Sequence, residues 1–266
     1  MNELTVIVAQ NPAMLDGPGE RFGWLKESLA DSRFEDADLL LLPELFLTGY
    51  NVGDNVHKWS EARDGLFARN IADLCKAHNI AIHYGFSESH EGQIYNSAQC
   101  FGSDGQRLGQ HRKLVLPPGF ERDYFQRGGH CEAFSVNGFK IGMLICYDAE
   151  FPESFRYIAK MGVDLVLIPT ALGKQWNVVA HKVIPTRAFE NGIYVCYANQ
   201  CGHENGLEFL GGSCIIAPDG QDIARAGIEP EFLRAELNLN AVKSAQKRLP
   251  YLEDLKRLTF KLNQSV

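Results

Sequence analysis

Cys146, in FKIGMLICYDAEFPE (residues 139–153), is the residue whose setting points most directly to chemistry. Ile141 to Ile145 form an apolar run short enough for one buried strand, and the run stops at the thiol. Tyr147, Asp148, Ala149 and Glu150 change the pattern, and Pro152 suits the first turn of a helix, where its missing N–H is one that goes unpaired anyway. Strand, tight turn and helix start make an elbow that lifts a side chain out of a sheet end and aims it at a crevice, by analogy with the serine elbows of hydrolases. A free thiol has a pKa of about 8.5, so as a nucleophile it needs a base or a positive field. The unpaired N–H groups of a helix starting near Phe151 supply part of that field. The competing reading is a buried structural cysteine, a common place for free thiols.

Two more segments set charges against apolar runs. LLLLPELFLTGY (residues 39–50) carries Glu44 just after a strand-like run, and HRKLVLPPGFERDYFQRG (residues 111–128) carries Lys113 and Glu121 on either side of a loop broken by Pro117, Pro118 and Gly119. Taken locally, Glu44 reads as a surface carboxylate and Lys113 as a solvated member of the pair Arg112-Lys113.

Together with ICYDAEFPE, these segments resemble in order and spacing the Glu, Lys and Cys segments of the nitrilase superfamily, the carbon–nitrogen hydrolases. The similarity extends from TVIVAQ near the start to the PDG turn at residues 218–220. The resemblance implies that Cys146 attacks an amide, that Glu44 is the base, and that Lys113 and the backbone N–H of Tyr147 hold the oxyanion, while Glu121 positions substrate or lysine. One well-placed donor to such an oxyanion contributes on the order of 3 kcal/mol. It further implies a small-molecule amide substrate, a cysteine thioester intermediate, no cofactor or metal, an α/β fold built as a four-layer α-β-β-α sandwich, and subunits paired as a homodimer or higher homo-oligomer. The chain departs from the commoner family pattern at Pro117-Pro118-Gly119-Phe120, where many members have a Gly-Asp or Gly-Glu turn, and at Glu150, where many have arginine. With Arg187 to Asn191, Tyr197-Ala198-Asn199, Cys201-Gly202 and Leu249 to Leu252, the pattern is most similar to aminoamide hydrolases of the 5-aminopentanamidase kind and to stereoselective amidases. N-carbamoyl amine hydrolases and ω-amidases are alternatives within the superfamily. Tyr50, Glu150, Thr170 and Trp176 are the candidate substrate-binding residues, and Phe189 is a further aromatic candidate for the pocket wall.

Two other chemistries use residues in the sequence. A Cys-His hydrolase would take His181 or His203 as base, but neither carries a papain-type signature. A zinc-binding module would gather Cys196, Cys201, His203 and Cys214, without any C-x-x-C pair. No glycine-rich phosphate loop precedes a helix, which leaves nucleotide cofactors without support.

The remaining residues must position these groups. The chain has 266 residues, 45% hydrophobic and 22% charged, with a formal net charge of -7, which offers no basic footprint for nucleic acid or an anionic membrane surface. No apolar stretch approaches a membrane span, and MNELTVIVAQNP runs into a strand without a signal-peptide cleavage pattern, so a cytoplasmic protein is expected. Seven scattered cysteines fit reduced thiols. Strands are expected at residues 4–10, 37–42, 80–86, 95–101, 165–169, 194–199, 213–217, 222–226 and 232–237. Helices are expected at residues 20–30, 65–79, 153–161 and 176–191, the last disturbed at Pro185, with helical stretches in 240–266. Residues 114–128 read as an irregular loop, and residues 95–113 as a hairpin around Ser103-Asp104-Gly105. The first strand, helix and strand make a βαβ unit with a parallel pair. The alternation argues an α/β fold, and without linker or repeat, residues 1–266 read as a single domain.

Overall fold

The computed structural model of the chain describes residues 2–258. Its first half runs β1 (Glu3–Gln10), α1 (Gly17–Ser28), β2 (Leu39–Leu41), α2 (Asn55–Trp59), α3 (Leu66–His78), β3 (Ala81–His90), β4 (Gln93–Phe101) and β5 (Arg107–Arg112). The second half runs α4 (Phe120–Tyr124), β6 (Ala133–Val136), β7 (Phe139–Met143), α5 (Pro152–Lys160), β8 (Leu165–Pro169), α6 (Ile184–Asn191), β9 (Tyr194–Ala198), β10 (Cys201–Glu204), β11 (Leu207–Leu210), β12 (Cys214–Ile216), β13 (Asp222–Arg225), β14 (Glu231–Asn238), α7 (Leu239–Arg248) and α8 (Tyr251–Asp254).

The strands form two six-stranded sheets, β14-β1-β2-β3-β4-β5 and β13-β12-β9-β8-β7-β6, with β10-β11 as a separate hairpin. Each sheet is parallel at its centre and antiparallel toward its edges. In the first, Val6 lies opposite Leu39 and Leu39 opposite Ala81, both parallel, which realises the expected βαβ pair. In the second, Ile141 lies opposite Leu165 and Leu165 opposite Tyr194, again parallel.

Strands apolar on both faces are what parallel sheets covered on both sides require. Val6, Val8, Leu39 and Leu41 share one cluster with Phe139, Ile141, Met143 and Leu167 of the other sheet. Their neighbours Ile7, Leu40 and Leu42 point the opposite way, against Leu25 of α1 and Ile71 and Leu74 of α3. The outer face of the second sheet is covered by Phe155 and Ile158 of α5 and by Ile184 and Ala188 of α6. The layers are therefore α-β-β-α. Full burial of each such side chain contributes about 1.5–3 kcal/mol.

The structure departs from the sequence-based expectation in several places. β6 and the β10-β11 hairpin were not anticipated, and the supposed loop at residues 114–128 contains α4. The helix expected from Trp176 to Asn191 is present as one continuous helical run that opens with a 3-10 turn (Lys174–Trp176), widens to a π turn (Val179–Val183) and continues as α6, with the disturbance beside Pro185 as expected. Pro185 has no N–H for the carbonyl four residues back, and the Ile184 N–H reaches five residues back to Val179 instead. Of the helical stretches expected in residues 240–266, α7 and α8 are present, and residues 259–266 lie outside the described residues. Among the described residues no helix is long and apolar enough to cross a membrane.

Candidate active site

Four strands of the two sheets end at one place. Glu44 follows β2, Lys113 follows β5, Cys146 follows β7 and Thr170 follows β8, while Glu121 lies in the first turn of α4. Carboxyl ends of strands are where ligand sites form in open α/β sheets.

The loop carrying Glu44 lies directly on β3. Leu45 has a left-handed backbone (φ 48) and the Leu47 N–H donates to Gly85 O at 3.1 Å. A Cβ on Gly85 would stand 2.4 Å from Leu45 N and 2.8 Å from Pro43 O, so only glycine permits this approach. The cysteine elbow is equally constrained. Cys146 has φ 45, a conformation that costs a non-glycine residue on the order of 1–3 kcal/mol. Buried Asp148 secures it, accepting from the N–H groups of Ile145 (3.2 Å), Leu114 (3.0 Å) and Val115 (2.9 Å) and meeting His111 Nε2 at 3.0 Å. Arg187 donates to Ala149 O (3.1 Å) and Glu150 O (2.6 Å), fixing the elbow from α6.

Within this frame the charged groups converge. Lys113 Nζ donates to Glu44 Oε1 at 2.6 Å and to Glu121 Oε1 at 2.5 Å, with all three side chains fully buried. Asn96 Nδ2 donates to Glu44 Oε1 (2.7 Å) and Glu121 Oε2 (3.1 Å), and Tyr50 OH donates to Glu121 Oε1 (2.7 Å). Glu44 Oε2 is buried without a hydrogen-bond partner. An ammonium has three N–H donors, and the two carboxylates engage two of them.

Burial pushes the Glu44 carboxyl up to about 7, with Lys113 pulling it down and Glu121 pushing it further up. Burial alone would lower Lys113, but Glu121 and Glu44 outweigh it and hold the ammonium well above its usual range. Burial and then Glu44 push the Cys146 thiol well up, opposed by Lys113 and by a hydrogen bond from Thr170. Cys146 opens a 3-10 turn (Cys146–Glu150) ahead of α5, and the charges acting on it are the Glu44 and Glu121 carboxylates and the opposing Lys113 ammonium.

Cys146 opens onto a cavity of about 700 Å³, walled by Tyr50, Phe120, Tyr147, Glu150, Leu172 and Trp176 among others. Trp176 stands at its edge, 56% exposed. Thr170, expected to touch substrate, is instead fully buried and absent from the cavity wall, with its hydroxyl 3.1 Å from Tyr197 OH. Phe189 packs edge-on to Tyr251 (centroids 5.9 Å) and is likewise not part of the wall. His181 and His203 are exposed and neither borders the cavity, so no histidine base faces Cys146 there. Among the described residues no three His, Cys, Asp or Glu side chains gather to hold a metal, which leaves the zinc-module reading without a site.

Asn96, Asp148 and Arg187 are the site residues that sequence reasoning missed. For Asn96 a signal existed, because Asn96, Ser97 and Gln99 put polar side chains into a strand that turns out buried. Glu204 acts at one remove: it pairs with buried Arg21 (2.8 Å) and accepts the N–H groups of Tyr50 (3.0 Å) and Asn51 (2.5 Å), holding the cavity wall in place.

This constellation of a thiol, a buried Glu-Lys pair and a second glutamate at the mouth of an α-β-β-α sandwich agrees with the sequence comparisons. The chain belongs to the carbon–nitrogen hydrolase family, whose model matches residues 11–247. A hydrolase from the pqqF 5' region of Pseudomonas protegens is 43% identical, over 82% of this chain and 78% of its own length. An (R)-stereoselective amidase of Pseudomonas sp. is 32% identical, over 82% of this chain and 80% of its own. The crystal structure of an amidase from Nesterenkonia sp. superposes with a TM-score of 0.83 at 30% identity, covering 94% of this chain and 95% of that one. The Nesterenkonia sp. AN1 amidase has also been solved as a cysteine-to-alanine mutant in complex with butyramide and as a glutamate-to-glutamine mutant with acrylamide added at its active-site cysteine. This chain is thus a nitrilase-superfamily C–N hydrolase acting on amides, with a catalytic cysteine.

Proposed function

We propose that Cys146 is the catalytic cysteine and that the protein hydrolyses a small aliphatic or ω-amino amide to carboxylate and ammonia, with Glu44 as base, Lys113 as oxyanion partner and Glu121 as the group that holds Lys113. The observation that carries this reading is that Cys146 borders the cavity, while Glu44, Lys113 and Glu121 form one buried hydrogen-bonded cluster whose charges act on its thiol.

As Sγ bonds to the amide carbon, the thiol proton passes to Glu44 Oε2, the oxygen without a partner. Charge developing on the carbonyl oxygen is met by the third N–H of Lys113 and by the Tyr147 backbone N–H. Collapse breaks the C–N bond, Glu44 returns the proton to the departing nitrogen, and a thioester remains. Water then attacks the thioester, giving a proton to Glu44 that finally restores the thiol, so one amide and one water yield one acid and one ammonia. Starting from a neutral thiol avoids adding a third negative charge beside Glu44 and Glu121.

Glu150 supports the ω-amino preference. It lies on the cavity wall and is half-buried, with its carboxyl pushed up by burial. Among the described residues no lysine, arginine or histidine lines that wall, although Lys113 and Arg187 behind it act on the carboxyl in the opposite sense to burial. An ammonium on the substrate meets that carboxylate, and aromatic rings at Tyr50, Phe120 and Trp176 add favourable faces for a cation.

The test is ammonia release across aliphatic amides, ω-amino amides, carbamoyl amines and nitriles, for the wild type and Cys146→Ala. Amide hydrolysis lost in a folded Cys146→Ala variant is expected, and substantial residual activity would sink the covalent mechanism. Within the amides, 5-aminopentanamide is expected to show a higher kcat/KM than the amide of equal length ending in a carboxylate. The reverse order would remove the amine-recognition reading and favour ω-amidase chemistry.

A further inference from the structure

The two buried carboxylates share one neutral donor. Asn96 lies on β4 opposite Ser87, and its backbone carbonyl accepts the Lys113 N–H at 2.9 Å. Its side-chain nitrogen donates to Glu44 Oε1 and to Glu121 Oε2, while its own Oδ1 is buried without a partner. The orientation of the amide follows from chemistry, because an oxygen turned toward two carboxylates would add repulsion where the nitrogen adds two bonds. Leaving Oδ1 unsatisfied is unfavourable, a compromise that buried polar groups make rarely.

We propose that Asn96 is a positioning residue for the amidase reaction: by joining Lys113 on Glu44 Oε1, it turns Oε2 toward the nucleophile and sets the proton affinity of the base. The proposal rests on Glu44 serving as base for Cys146. With Oε1 occupied by two donors at 2.7 Å and 2.6 Å, the remaining lone pairs of the carboxylate are on the oxygen that lacks a partner. The charges that act on Glu44 are Lys113 and Glu121, Glu44 in turn acts on Tyr50 and Cys146, and Asn96 is the neutral side chain that donates to Glu44. Removing it leaves Lys113 to hold both carboxylates alone. Glu44 then binds its proton more tightly and is free to rotate Oε1 toward the thiol or away from it.

The test uses Asn96→Leu, which keeps approximate shape without the donor, and Asn96→Ser, which keeps a shorter donor. The pH dependence of kcat/KM for 5-aminopentanamide or butyramide is measured, together with thermal melting. In parallel, the rate of Cys146 alkylation by iodoacetamide is followed against pH by mass spectrometry, a readout that needs no amide turnover. Asn96→Leu is expected to lose at least about 10-fold in kcat/KM at pH 7 and to move the rising limb upward by roughly one to two pH units, the size of one hydrogen bond to a charged oxygen. The alkylation profile should move in the same direction, and Asn96→Ser should fall between. A loss that is uniform across pH, or a limb that stays in place, overturns the proposal and makes Asn96 a packing residue. If Asn96→Leu does not fold, the Asn96→Ser limb decides in the same way. Failure of the amidase reading itself is seen separately, as wild-type hydrolysis that survives Cys146→Ala.

Discussion

Gly85→Ala probes the link between fold and chemistry without touching any charged group. The added Cβ would stand 2.4 Å from Leu45 N, whereas ordinary contact begins at 3.4 Å, so the loop carrying Glu44 must retreat by roughly 1 Å. All three nearest atoms are backbone, Leu45 N, Pro43 O and Glu44 C, and none can swing aside as a flexible side chain would. The loop is pinned further by the Leu47 N–H on Gly85 O and by the Glu44 carboxylate on Lys113 and Asn96. Overpacking of this kind destabilises by about 1–3 kcal/mol. A misplacement of ~1 Å in a catalytic group lowers turnover by on the order of 10²-fold. Gly129→Ala, where a Cβ meets open space, is the control and should behave as wild type. Steady-state ammonia release gives kcat, and near-ultraviolet circular dichroism with thermal melting confirms a folded variant. Wild-type kcat together with an unchanged melting midpoint in Gly85→Ala would refute the claim that this glycine sets the position of Glu44.

The pH dependence follows from Glu44, whose folded pKa is raised to about 7 by burial. Base catalysis requires the ionised carboxylate, so kcat/KM should rise through a limb near pH 7. The Cys146 thiol and Lys113 ammonium titrate well above their usual ranges, so no fall should follow just above neutrality; a profile declining between pH 7 and 8 contradicts this charge assignment. Glu44→Gln keeps shape but removes the proposed base and should slow single-turnover acylation and thioester hydrolysis by at least about 10²-fold. Lys113→Met should lower kcat more than it alters KM, and a change confined to KM rules out the oxyanion role. Arg21→Ala leaves Glu204 buried and unpaired beneath Tyr50 and Asn51, and should destabilise by about 3–5 kcal/mol in urea unfolding. An unchanged unfolding midpoint would show that Glu204 does not depend on that partner.

The sequence makes the strand, turn and helix start around Cys146 legible because their signals are local: an apolar run, a thiol and Pro152 fall within twelve residues, 141–152. β1 and β2 are likewise legible as apolar runs, yet which residues face the second sheet emerges only when Val6 and Leu39 pack against Ile141 and Met143. Glu44 and Lys113 are 69 residues apart, and nothing local shows that they share a proton-accepting cluster. There the family resemblance supplied what periodicity lacked. Asn96 and Asp148 were missed because their importance lies in partners brought from other strands, such as Leu114, 34 residues from Asp148. The burial of Thr170 is not legible for a related reason: the end of a strand can place a hydroxyl beside Cys146 as readily as on the wall, and chain position does not distinguish the two.

Asp148 has a consequence for how the molecule opens. Its carboxylate takes N–H groups from Leu114 and Val115, which continue from β5 of one sheet, and from Ile145, which continues from β7 of the other. A single side chain therefore rivets the ends of β5 and β7 together across the two sheets. Those three amides share one carboxylate as acceptor, and hydrogen–deuterium exchange should find them released at a common rate if the two sheets part as a unit. Any slippage between the sheets large enough to break that rivet also parts Lys113 from Cys146. Catalytic competence and the docking of the two sheets are then a single equilibrium, and inactivation on warming should track the loss of protection at Leu114, Val115 and Ile145 before global unfolding is complete.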